Sequence, residues 1–125
     1  MNERNFNLDE RLIVFAAKII DVAEALPKSF AGNHLSGQLI RSGTAPALHY
    51  GEAQSAESRA GSIHKMKVAV KELRETYNCL RIINLKHWLP TDILQPILDE
   101  NNQLIVIFIK SITTAQNNKT SSNEK

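Results

Sequence analysis

The side chains best placed to do chemistry are four cations. Lys67, Lys71, Arg74 and Arg81 recur within Arg59–Leu89, a segment with neither Pro nor Gly between Ser62 and Leu89. On a heptad reading Lys67, Arg74 and Arg81 share an e position, and Lys71 and Asn78 lie one turn away. Cations at helical spacing can follow a phosphate backbone, each contact adding salt-dependent affinity. The same row has a plainer use, in which the stems cover an apolar seam and the heads pair with acids. Glu75, four residues after Lys71, is an available partner of that kind.

The other candidates point to structure. Arg41 and Glu52 are eleven residues apart, hence nearly on one helical face, and are expected to form a structural polar cluster. Such pairs more often serve specificity than catalysis. None of His34, His49, His64 and His87 stands three or four residues from another histidine, so no metal is expected. Cys79 has no helical neighbour that would lower its pKa, which argues against a thiol nucleophile. The chain carries no GxSxG, Walker A, HExxH or paired-carboxylate arrangement. No catalytic residue and no cofactor are expected, and the chain does not read as an enzyme.

These residues need helices to position them. Ile63, Met66, Val70, Leu73, Tyr77 and Leu80 recur at spacings of 3, 4, 3, 4 and 3, an a/d seam. The third helix is therefore expected over about 58–88. A first helix over about 8–26 has the seam Leu8, Leu12, Phe15, Ile19, Val22 and Leu26, and Pro27 stops it. A second, over about 33–56, is punctuated by Gly37, Gly43, Gly51 and Pro46, with a kink expected at the proline. A fourth, over about 92–116, opens with Thr91 or Asp92 as cap and has Leu94, Leu98, Asn101, Ile105, Phe108, Ile112 and Ala115 as its seam. Residues 1–7 are expected to be loose and 117–125 to form a disordered tail.

Leu104–Ile109 is apolar around its whole circumference, and no other stretch could pair with it as a strand. A helix apolar all round must be covered on every side. Three neighbours leave its outer face open, so Leu104, Val106, Ile107 and Ile109 are expected to form an oligomer interface. The fold expected is all-α, one antiparallel up-down-up-down four-helix bundle over residues 1–116.

The 125 residues make one domain. A single cysteine excludes an internal disulfide framework, and no signal peptide or membrane-spanning run is evident, so a cytoplasmic location is expected. The net charge of +2 is unevenly spread: residues 59–88 hold seven Lys/Arg against two acids, a local +5, while 1–28, 29–58 and 89–116 are each negative. The cationic character belongs to one helix.

Three segments carry a resemblance: Gln38–Thr44 (QLIRSGT), Gly51-Glu52-Ala53, and Lys65–Thr76 (KMKVAVKELRET). Together they resemble a bacterial family of small four-helix bundles, the 23S rRNA intervening-sequence proteins. The accessory variability proteins of diversity-generating retroelements belong to the same group. The likeness covers about residues 8–115, and departs from the commoner pattern at Pro46-Ala47-Leu48-His49-Tyr50. It implies a bundle assembling into a ring, typically a homopentamer, without catalysis. In the retroelement branch it also implies a basic surface that binds RNA or DNA and a reverse transcriptase.

Overall fold

The computed structural model describes the backbone of residues 7–124 and the side chains of residues 7–118. Four helices follow one another: α1 (Leu8–Glu24), α2 (Phe30–Gln54), α3 (Arg59–Leu85) and α4 (Thr91–Glu124). Among the described residues there is no strand. Each helix packs on the next, α2 against α3 most extensively. α1 closes on α4 through the fewest contacts, and the diagonal helices keep their backbones more than 8 Å apart, meeting through side chains such as the edge-on Tyr50 and Phe108 rings of α2 and α4. That is the expected up-and-down bundle, with its loosest seam between the first helix and the last.

Short side chains set the helix starts. Asn7, Ser29 and Ser58 are extended, and their side-chain oxygens accept the N–H of Glu10, Gly32 and Gly61 at 2.8, 3.1 and 3.0 Å. Each satisfies one of the amides that a helix start leaves without an intrahelical partner. α2 thus begins three residues before the expected position, at the first serine able to cap it. The expected loose segment lies outside the described residues apart from Asn7, which is a cap.

α3 ends at a Schellman turn. His87 takes φ 56°, its N–H donates to Asn84 O at 3.0 Å, and the Trp88 N–H donates to Ile83 O at 3.4 Å. A histidine holds the left-handed position usually given to glycine, so the helix stops before the expected 88. Pro90 O then accepts from Ile93 and Leu94 at 3.1 and 3.3 Å to open α4. The Thr91 hydroxyl is not the cap but donates to Asn84 Oδ1 at 3.0 Å.

α4 continues to Glu124, through the segment expected as a disordered tail; Lys125 lies outside the described residues. Nothing after Pro96 breaks a helix, and extending one adds a hydrogen bond per residue without a new nucleation cost.

The expected seams form the core. Leu12, Phe15, Ile19, Val22 and Leu26 of the α1 segment are buried with Ile63, Met66, Leu73 and Leu80 of α3 and Leu94, Leu98, Ile105 and Phe108 of α4. The α3 core stripe is wider than the heptad seam, since Ala69, Thr76, Cys79 and Ile83 are also buried on the side toward α2. α2 contributes mainly small residues. Its Gly43 lets Ile19 of α1 come close enough that a Cβ there would stand 2.4 Å from Ile19 Cγ2. Ser42 is fully buried and accepts the Thr76 hydroxyl at 2.9 Å. The Asn101 amide, also fully buried, has a satisfied orientation in which it donates to Leu73 O at 3.0 Å and accepts the Tyr77 N–H at 3.3 Å. The interior polar groups are therefore paired, as burial demands.

Candidate nucleic-acid interface

With two rows of α3 turned to the core, its remaining face is outward. Lys67, Lys71, Arg74 and Arg81 all lie on it, exposed. They span ~21 Å of helix at 1.5 Å per residue. Lys67, Lys71 and Arg74 have no carboxylate partner among the described residues. The Arg81 guanidinium stands over the Tyr77 ring, 6.0 Å from its centroid, which orients the charge without neutralising it. Beyond Arg81 the face turns apolar, with Ile82 48% and Leu85 80% exposed.

The acids of α3 are used on its other side. Arg41 of α2 donates to Glu75, and to Glu72 at 3.1 Å, so Glu75 serves α2 rather than Lys71. Hydrogen bonding to Glu75, ahead of that to Glu72, holds the Arg41 guanidinium more firmly charged than usual. The paired-cation alternative for Lys71 is thereby removed, and the row keeps its charge.

The expected Arg41–Glu52 cluster is corrected. Glu52 pairs with Lys65 at 2.9 Å and lies 3.4 Å from His49 Nδ1. The hydrogen bond from Lys65 is the main reason its carboxyl sits below the ordinary glutamate value. Eleven residues share a face but are ~16 Å apart along the axis, so each charge instead meets α3 at its own level. Both pairs are clamps between α2 and α3. Sequence spacing within one helix could not show them, because all three cross-helix partners, Glu72, Glu75 and Lys65, come from α3.

The α4 candidates divide. Leu104 is fully buried in the bundle and is no part of an outer interface. Val106 and Ile109, 51% and 41% exposed, face outward, and Ile107 is half-buried. A circumference that is apolar all round is split by the bundle, which takes Leu104, Ile105 and Phe108 inward.

The four histidines lie apart on α2, α3 and the turn after it, and no group of three metal-ligating side chains occurs among the described residues. Cys79 is buried, and that burial is what raises its thiol pKa, the opposite of an activated nucleophile. No helix, among the described residues, is long and apolar enough to cross a membrane.

The fold is that of an up-and-down four-helix bundle, and among the described residues Lys67, Lys71 and Arg74 stand on α3 without ion-pair partners. The family model for 23S rRNA-intervening sequence proteins matches residues 4–110, and the chain belongs to that family. It is also similar to a crystal structure from Bacteroides thetaiotaomicron, described as a protein with unknown function from the S23 ribosomal protein family. The two share 25% identity over 85% of this chain and 98% of the other, with a TM-score of 0.80. Comparison with curated proteins finds no match.

Proposed function

We propose that this chain is a non-enzymatic, self-associating adaptor that binds nucleic acid through the outward face of α3. The observation that carries the reading is the set of uncompensated charges. Lys67, Lys71 and Arg74 stand exposed in one row with no carboxylate partner among the described residues, although two glutamates of the same helix are within a turn and pair elsewhere. A row of this length meets several successive phosphates, so the contact is electrostatic and indifferent to base sequence. A nucleic-acid enzyme would be the natural co-partner, and the resemblance to the retroelement accessory proteins suggests a reverse transcriptase. Copies associate through Val106, Ile107 and Ile109 of α4, and the family resemblance suggests a pentameric ring. A second reading, an oligomer with protein partners only, draws on those same exposed aliphatic residues.

The test is a fluorescence titration with single-stranded RNA and duplex DNA at low and high salt. The variant carries Lys67→Ala, Arg74→Ala and Arg81→Ala together. Binding that weakens steeply with salt and is lost in the variant is expected. Unchanged binding in the variant would overturn the reading.

A further inference from the structure

The outward stripe of α3 is longer than its row of cations. Lys67, Lys71, Arg74, Asn78, Arg81 and Leu85 follow one another at steps of 4, 3, 4, 3 and 4, so they share one side of the helix, and all six are exposed. The stripe changes character at Asn78. Before it stand the three cations without carboxylate partners among the described residues. From it onward, Asn78, Arg81, Ile82, Asn84 and Leu85 line an open cleft of about 610 Å³, within the ~300–1,000 Å³ common for ligand sites. Its walls suit a flat, uncharged ring better than a phosphate. Ile82 and Leu85 offer exposed aliphatic surface. The Arg81 guanidinium, held over the Tyr77 ring, is a planar group on which a base can stack. The Asn78 amide has no hydrogen-bond partner among the described residues, and it brings both donors and an acceptor to a base edge. The Thr91 hydroxyl donates to Asn84 Oδ1 at 3.0 Å and fixes that side of the cleft. No carboxylate lines it, since Glu75 is engaged by Arg41 and Asp92 is not among the lining residues. Ile82, Asn84 and Leu85 also belong to the last turn of α3, the negative end of the helix dipole, where an anion is disfavoured.

We infer that the α3 face takes single-stranded nucleic acid, with phosphates along Lys67, Lys71 and Arg74 and one unstacked base seated in the cleft beyond them. This rests on the α3 reading given above and narrows its substrate class. A duplex presents phosphates to the cations but keeps its base faces stacked inside, so it meets the row and not the cleft. Every base has a flat face, so the seat selects an unpaired strand rather than a sequence. The two contacts also differ in their response to salt. Phosphate contacts weaken as counterions are added, whereas an uncharged base in an apolar and amide-lined cleft contributes affinity that salt does not screen.

Two labelled DNA strands of equal length test the base seat on the full-length protein by fluorescence anisotropy. One is oligothymidylate, and the other is its abasic counterpart, with the same phosphates and no bases. Oligothymidylate is expected to bind several-fold more tightly at every salt concentration, with the same salt slope for both strands. A variant with Asn78→Ala and Leu85→Ser together, both at exposed positions, should bind the two strands alike, and circular dichroism checks that it is folded. Arg81→Lys, which keeps the charge and removes the planar group, should narrow the preference. Equal affinity of the unaltered protein for the two strands overturns the base seat and leaves the phosphate contacts standing. A preference for bases that survives these replacements in folded variants overturns the cleft as its location. Binding of neither strand at low salt overturns the α3 reading, and the base seat with it.

Discussion

Gly43→Ala and Gly51→Ala make the same chemical change on the same helix and should have opposite consequences. In a helix interior alanine is favoured over glycine by about 1 kcal/mol. At Gly51 an added Cβ meets nothing within 4 Å, so the variant should be more stable by about that amount. At Gly43 the Cβ would lie 2.4 Å from Ile19 Cγ2, 2.9 Å from Cγ1 and 3.0 Å from its Cβ. Ordinary carbon contacts are ~3.5–4.0 Å, so α1 and α2 must separate by about 1 Å or Ile19 must leave its rotamer. Overpacking of this kind costs about 1–3 kcal/mol. Because the propensity gain is common to both variants, that cost is the difference between them. Urea unfolding followed by far-UV circular dichroism reads it directly. Gly51→Ala should raise the midpoint and Gly43→Ala should leave it unchanged or lower it. Adding Ile19→Ala should relieve the penalty at Gly43 by a coupling of about 1–3 kcal/mol in a double-mutant cycle. Equal midpoints for the two glycine variants would refute the close approach of α1 to α2.

His87→Gly should stabilise the protein by about 1 kcal/mol, because it relieves the left-handed residue of the Schellman turn; thermal unfolding checks it, and a loss of stability would contradict that geometry. Arg41→Ala should cost at most about 1 kcal/mol, since its partners are only partly buried. The same experiment on Glu52→Ala, which faces Lys65 in solvent, should show less, and the reverse order would restore the single-cluster idea. Val106→Asp should lower the particle mass seen by light scattering without changing helical content, whereas an unchanged mass would show that α4 is not the contact between copies.

The residues that made the fold legible are the seams. Leu12, Phe15, Ile19 and Val22, or Leu94, Leu98 and Asn101, repeat at helical spacing, and the same positions are buried in the bundle. Helix ends were harder to read. Ser29 caps α2 ahead of a glycine-rich start, and His87 stops α3 without the glycine that usually marks such a turn. Of the site, the direction of Lys67, Lys71 and Arg74 follows from the seam they flank, so their exposure could be anticipated. The partners of Arg41 and Glu52 could not, because they depend on how α2 and α3 register against each other. Leu104 shows the same limit. A uniformly apolar helix does not say which of its sides the bundle will take.

Binding of nucleic acid by the α3 face, as we propose it, works through charge. Fluorescence anisotropy of a labelled single-stranded RNA, titrated at several salt concentrations, tests it most directly. With about −0.7 in the log–log slope per phosphate contact, the four cations predict a slope near −3. Replacing Lys67, Arg74 and Arg81 together should bring it close to −1 and weaken binding at low salt by orders of magnitude. A slope and affinity that the triple replacement leaves unchanged would show that the α3 cations do not bind nucleic acid.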